Sequence, residues 1–222
     1  MTQARLERLE EAANAITHMI GAGLAIAALV IMTVAAADIG SGTAIVAVVI
    51  FGSSLILVYL CSSLVHSINH PRVHGFFNML DHCSIYLLIA GTNTPFALLA
   101  LPPELGWPLF GIIWGLAAIG IGFKTYAFAS GNAERFDTLS TILYVAMGWF
   151  GFIYSAWLLA DILDPAGFVF LLLGGVFYTV GTVFYLKRLI PFSHAIWHLF
   201  VLAGSVMHFF SVLNYVIPVA AA

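Results

Sequence analysis

Apolar stretches long enough to cross a membrane recur along nearly the whole chain, and this feature constrains the fold more than any other. A spanning helix needs about 20 mostly apolar residues. Seven such runs are present, at roughly 15–37, 43–67, 78–100, 107–129, 139–160, 166–187 and 192–215. They are apolar on all sides, whereas the strands of a barrel would alternate in segments of about ten residues. The sequence predicts an all-α fold, a bundle of seven transmembrane helices.

The composition supports the same class of protein. Of the 222 residues, 62% are hydrophobic and only 8% are charged, which is far outside the range of soluble domains. The first run is longer than the apolar core of about 7–15 residues in a cleaved signal peptide, so we interpret it as the first helix. We expect a single membrane domain over 1–222, in which 1–14 form a cytoplasmic leader.

The basic residues predict the orientation of the bundle. If these seven runs cross the membrane, every lysine and arginine of the chain falls on the same side of it. These residues are Arg5, Arg8, Arg72, Lys124, Arg135, Lys187 and Arg188. Loops rich in Lys and Arg stay in the cytoplasm, so we expect a cytoplasmic amino terminus and an outside carboxyl terminus. This is opposite to G-protein-coupled receptors, and the seventh run has no lysine that could hold retinal.

Four ionisable side chains are placed at one depth of the inner leaflet by this topology, counting about 1.5 Å per residue. His66 ends the second run, Asp81 lies about one turn into the third, and His194 and His198 begin the seventh. Residues four apart share one helix face, as His194 and His198 do, and Ser62 stands at the same spacing from His66. Intramembrane ionisable groups are costly and usually functional. A set of three imidazoles is a catalytic zinc pattern, so we predict a metal site beside Asp81.

Three further residues are candidates to contact the metal ligands or a substrate: Asn14, His18 and His82. His18 and Asn14 enter the same leaflet from the first helix, where packing is an equally good interpretation. His82 follows Asp81 and points about 100° away from it on a helix, so packing is the favoured interpretation there.

The remaining histidines and the two cysteines have more ordinary interpretations. His70 and His74 are assigned to a loop, and His208 lies about 15 Å beyond His198, where we expect a hydrogen-bonded interior group. Cys61 and Cys83 should point away from the site as packing residues. We find no phosphate loop, Ser-His-Asp triad or nucleic-acid surface in the sequence.

Several motifs resemble those of the bacterial hemolysin III proteins, a family similar to the progestin and adipoQ receptors and, more remotely, to the alkaline ceramidases. They are Glu11-x-x-Asn14-x-x-x-His18, the segments 62–66 and 80–96, and His194-x-x-x-His198. The resemblance covers almost the whole chain, in family order. It implies zinc bound by His66, His194 and His198, near Asp81 and Ser62. Asn93 departs from the family pattern, which has a tyrosine there.

The chemistry that such a site predicts is metal-assisted hydrolysis. Zinc polarises carbonyls and activates water, Asp81 could accept a proton from that water, and Ser62 could hydrogen-bond the oxyanion. Access from the inner leaflet favours a membrane lipid amide or ester as substrate. Our leading hypothesis is a zinc-dependent lipid hydrolase of the bacterial inner membrane.

Two other functions remain open. The first is a zinc-containing, lipid-responsive receptor or sensor without turnover. The second is a membrane-lytic protein, which is weaker because the sequence has neither a visible releasable soluble state nor an amphipathic segment.

Overall fold

The protein is a bundle of seven long helices. The computed structural model describes residues 2–68, 70–187 and 190–221, apart from the side chain of Glu134, and this part of the chain contains no strand. The helices are α1 (Gln3–Asp38), α2 (Gly42–Ser67), α3 (Pro71–Ala100), α4 (Pro103–Ala129), α5 (Asp137–Ile162), α6 (Pro165–Lys187) and α7 (Ser193–Val219). Each is long and apolar enough to cross a membrane, which confirms the predicted fold class.

Local sequence explains where several helices begin. Ser41 accepts a hydrogen bond from the Ala44 backbone N–H at 3.2 Å and so caps the start of α2. Proline is the first residue of α3, α4 and α6, a position where its missing N–H costs nothing. Gly40 turns the chain between α1 and α2 with a φ of +72°, which glycine adopts without strain.

Helix α3 begins earlier than its apolar run predicts. It starts at Pro71 rather than at residue 78, so the assignment of His74 to a loop is wrong: His74 lies on the first turns of α3. Arg72 and His74 make the first turns of this helix partly polar, and a hydropathy pattern detects only the apolar part of a helix. Helix α1 likewise begins at Gln3, while the cytoplasmic location of 1–14 stays a prediction.

Helix α6 packs on α7 through glycine. The fully buried residues of α6 in the described part of the chain are Gly167, Gly174 and Gly181, which recur every seven residues. A Cβ on Gly181 would lie 2.6 Å from the Trp197 ring, so only glycine permits this close approach. The contact positions the helix that carries His194 and His198.

The outer surface of the bundle is apolar. Large hydrophobic side chains such as Ile119, Ile153 and Trp157 are 71%, 69% and 65% exposed. Extended apolar surface of this kind marks contact with a membrane or a partner. Together with the seven helices, it defines a multi-pass membrane protein.

Candidate metal centre

Three histidines from two helices converge at one end of the bundle. One ring nitrogen from each of His66, His194 and His198 lies within 4.8 Å of the others. The ring centroids are 5.0 Å apart for His66 and His194, 5.3 Å for His66 and His198, and 4.6 Å for His194 and His198. These three side chains are therefore close enough to bind one metal ion.

The surroundings of His66 fit a metal ligand. Its Nδ1 lies 2.8 Å from Oε2 of Glu11 on α1. Its other nitrogen, Nε2, is buried and has no hydrogen-bond partner among the described residues. A buried ring nitrogen without a partner is costly, and a cation shared with the other two imidazoles would satisfy it.

Asp81 and Ser62 lie beside the histidines. Both line the same cavity as His66, and the Asp81 carboxylate lies near the side chains of Ser62, His66 and His82. Among the described residues, the set of mutually close candidate ligands contains the three histidines but not Asp81. The carboxylate is therefore near the ligands without belonging to their group.

The histidines form one wall of a large internal cavity. Its volume is about 1050 Å³, and the described residues that line it come from every helix except α4. The charged residues of its lining, Glu10, Glu11, Asp81 and Asp137, come from the end of the bundle that holds the histidines. Farther along the cavity the walls include many apolar side chains, among them Leu88, Ile89, Phe96, Phe152, Leu159 and Leu171.

The candidate residues of α1 also face this cavity. His18 is 3% exposed and its ring stacks on that of His198 with centroids 3.5 Å apart. Neither ring nitrogen of His18, nor the side-chain oxygen of Asn14, has a hydrogen-bond partner among the described residues. Both side chains are therefore available to a ligand within the cavity.

His82 belongs to a second polar group on the same cavity. Its Nδ1 donates to the Asn78 carbonyl at 2.8 Å, so Nε2 is left to accept from the Tyr185 hydroxyl at 3.1 Å. Asp137 lies 3.9 Å from that Nε2 and accepts a 2.7 Å hydrogen bond from the fully buried Lys124. This group joins α3, α4, α5 and α6.

His208, His70 and the two cysteines are not members of the group of three ligand candidates. His208 donates from Nε2 to the Leu171 carbonyl at 3.1 Å, while its Nδ1 has no partner in the described part of the chain. His70 precedes α3 and is exposed. Cys61 and Cys83 are buried, and neither is among the described residues that line the cavity, as expected of packing residues.

Sequence reasoning missed the contacts that α1 makes with the histidines. Glu11 contacts His66, and Thr17 lies 3.1 Å from Nδ1 of His198. A usable signal was present, because polar residues at 10, 11, 14, 17 and 18 recur at helical spacing. That spacing predicts one polar face on α1, but it does not predict which residues of the other helices contact this face.

Comparison with known proteins identifies one family and several relatives that are similar to this chain. The family described as Haemolysin-III related matches residues 6–209. The chain is 51% identical over 212 residues to Hemolysin-3 of Bacillus cereus, covering 96% of this chain and 94% of that protein. It is 50% identical over 210 residues to the Hemolysin-3 homolog of Bacillus subtilis strain 168, covering 95% and 96%.

A more distant similarity extends to animals. The chain is 28% identical over 172 residues to the human Monocyte to macrophage differentiation factor. The aligned region covers 75% of this chain and 68% of that protein. The fold and the histidine group define a seven-helix membrane protein with a possible metal site in its interior. The chain belongs to the haemolysin-III related family, which confirms the resemblance seen in its motifs.

Proposed function

We propose that this protein is a zinc-dependent membrane hydrolase that cleaves lipid amides or esters. The observation that carries the proposal is the group of three imidazoles, with ligand atoms within 4.8 Å of one another, on the wall of a cavity of about 1050 Å³. Three histidines are the protein ligands of a catalytic zinc site that keeps one position open. The buried, unpartnered Nε2 of His66 fits such an ion.

The residues around the histidines suit hydrolysis. When bound, zinc acts as a Lewis acid that polarises a carbonyl and activates water. Asp81 stands outside the ligand group and is free to orient a water molecule and to accept its proton. Once Asp81 has taken up the proton, the hydroxyl of neighbouring Ser62 can donate a hydrogen bond to the oxygen on which negative charge develops. His18 offers two further ring nitrogens to the substrate.

The cavity favours an amphipathic substrate. Its volume is at the upper end of the range of about 300–1,000 Å³ typical of ligand sites. Charged and polar side chains surround the histidines, and apolar side chains line much of the remainder. A lipid could therefore place its amide or ester beside Asp81 and an acyl chain along the apolar walls.

The test is to measure zinc content and fatty-acid release on the same purified protein. We expect wild type to contain zinc and to release fatty acid from a lipid amide or ester. The Asp81→Asn variant should keep the zinc, and its rate of fatty-acid release should fall about 10²- to 10⁴-fold, the usual effect of removing a general base. Equal rates for wild type and Asp81→Asn would contradict the proposed chemistry.

A receptor or sensor with a structural metal is the second candidate. The three histidines join α2 to α7, so an ion bound there would also fix these helices relative to each other. Lipid binding and zinc retention without turnover on any lipid amide or ester would favour this function over hydrolysis.

We also propose that the histidine end of the bundle faces the cytoplasm in the bacterial inner membrane. Arg5, Arg8, Arg72 and Lys187 at helix ends, and Arg135 between α4 and α5, support this orientation, since they lie on the histidine side. Arg188 lies outside the described residues. Positive residues favour the cytoplasmic side, which would open the histidine end of the cavity toward the inner leaflet.

A further inference from the structure

One face of α1 is polar although α1 supplies none of the three histidines. The face consists of Glu10, Glu11, Asn14, Thr17 and His18, which recur at helical spacing, and we refer to it as the α1 polar face. Four of these residues line the cavity, and Thr17 contacts His198. Hydrolysis as proposed above uses only His18 of this set, so the other four need a separate explanation.

Glu11 determines which nitrogen of His66 can bind a cation. A carboxylate oxygen only accepts hydrogen bonds, so the 2.8 Å contact requires that Nδ1 of His66 carry the proton and donate it to Oε2 of Glu11. The lone pair of the neutral imidazole is then on Nε2. That nitrogen is the buried atom without a partner, and the rings of the other two histidines lie 5.0 and 5.3 Å from the His66 ring.

Asn14 and Thr17 act on His198 in the same way. Nδ1 of His198 lies 3.1 Å from the backbone carbonyl oxygen of Asn14 and 3.1 Å from Oγ1 of Thr17. The Thr17 hydroxyl already donates to the carbonyls of Ala13 and Asn14, both at 2.9 Å. Its single hydrogen is thereby used, so toward His198 it can only accept. Two acceptors thus hold the proton on Nδ1 and leave the lone pair on Nε2.

Glu10 fixes the start of the helix that carries the other two histidines. Its Oε1 accepts a 2.8 Å hydrogen bond from the backbone N–H of Phe192. Phe192 has a left-handed φ of 61°, which is unfavourable for a residue with a side chain. It lies directly before α7 and two residues before His194, so the Glu10 contact helps to hold His194 in position.

We propose that the α1 polar face is an outer layer of the metal site that sets the tautomers of two ligands. Glu11 positions His66, while the Asn14 carbonyl and Thr17 position His198. The inference rests on the metal binding that the proposed function requires, and not on hydrolysis. Hydrogen-bond partners of metal-bound histidines orient the ring and raise its basicity, and their loss typically weakens metal binding 10–100-fold.

The test is the zinc affinity of metal-free protein in detergent, measured by competition with a chromophoric chelator. Glu11→Ala should weaken binding about 10–100-fold. Glu11→Gln should have a smaller effect, because its amide oxygen still accepts the Nδ1 proton but carries no charge. Glu11 is 57% exposed, so these variants should fold. Glu7→Ala is the matched control, since exposed Glu7 on the same helix pairs only with Gln3 among the described contacts.

Two additional measurements separate positioning from a general structural effect. The visible absorption of bound Co²⁺ should change in Glu11→Ala and stay unchanged in Glu7→Ala, because it reports ligand geometry. Thr17→Val, which keeps the side-chain shape, should weaken zinc binding independently of Glu11. Equal zinc affinities and Co²⁺ spectra for wild type, Glu11→Ala and Thr17→Val would overturn the inference while leaving the metal site intact. A wild type that binds no zinc would overturn the proposed function as well.

Discussion

The imidazole ring of His18 lies flat against the imidazole ring of His198, with an angle of 14° between the planes. The contact brings a fourth imidazole to the three candidate ligands, yet the group of mutually close ligand atoms in the described chain does not include it. Its two nitrogens are buried and without partners among the described residues. We therefore propose that His18 hydrogen-bonds a substrate and is not a ligand of the proposed metal.

Replacing His18 by Phe tests this assignment. We expect His18→Phe to keep the stacking surface and the zinc content, since no ligand is removed. Fatty-acid release should fall about 5- to 13-fold, which corresponds to one lost hydrogen bond of about 1–1.5 kcal/mol. Zinc content and the rate of fatty-acid release, measured on the same preparation, distinguish a substrate contact from a metal ligand. Loss of zinc in this variant would make His18 a ligand and refute its role at the substrate.

Removing the metal should loosen the contact between α2 and α7. An ion that binds only the folded protein stabilises it by about 2.7 kcal/mol when present at 100 times its Kd. A strong chelator should therefore lower the melting temperature of wild type. His198→Ala should show no such chelator-dependent shift, because its site is already disrupted. A shift of equal size in both proteins would mean that the stabilising ion binds elsewhere.

His208→Ala should separate stability from metal binding. The His208 ring packs against Gly174 and donates to the Leu171 carbonyl, and losing these interactions should cost about 1–3 kcal/mol. We expect a lower melting temperature with zinc content unchanged. His70→Ala is the control, since exposed His70 should affect neither quantity. Zinc loss in His208→Ala would show that the far end of the cavity takes part in the metal site.

The orientation of the bundle can be measured with single cysteines. Cys61 and Cys83 are buried, so cysteines introduced at exposed sites should dominate labelling by a membrane-impermeant maleimide. In intact spheroplasts, Glu104→Cys should react, while Glu7→Cys should react only after lysis. The reverse pattern would place the histidine end of the bundle outside the cell.

Sequence reasoning predicted the seven helices because long apolar runs directly encode membrane spans. It misplaced the start of α3, because Arg72 and His74 on the first turns interrupt the apolar pattern from which a hydropathy analysis detects a span. The spacing of His194 and His198 indicated a shared face, and the bundle brings His66 to the same place. The pairing of Glu11 with His66 could not be predicted, because it depends on how two helices pack when the paired residues are 55 positions apart in the sequence.

The zinc content of purified protein tests the central claim most directly. Elemental analysis should find about one zinc per chain in wild type and in His208→Ala, and close to none in His66→Ala, because three histidines are needed to hold the ion. Equal zinc content in wild type and His66→Ala, or no metal in wild type, would contradict the proposed site.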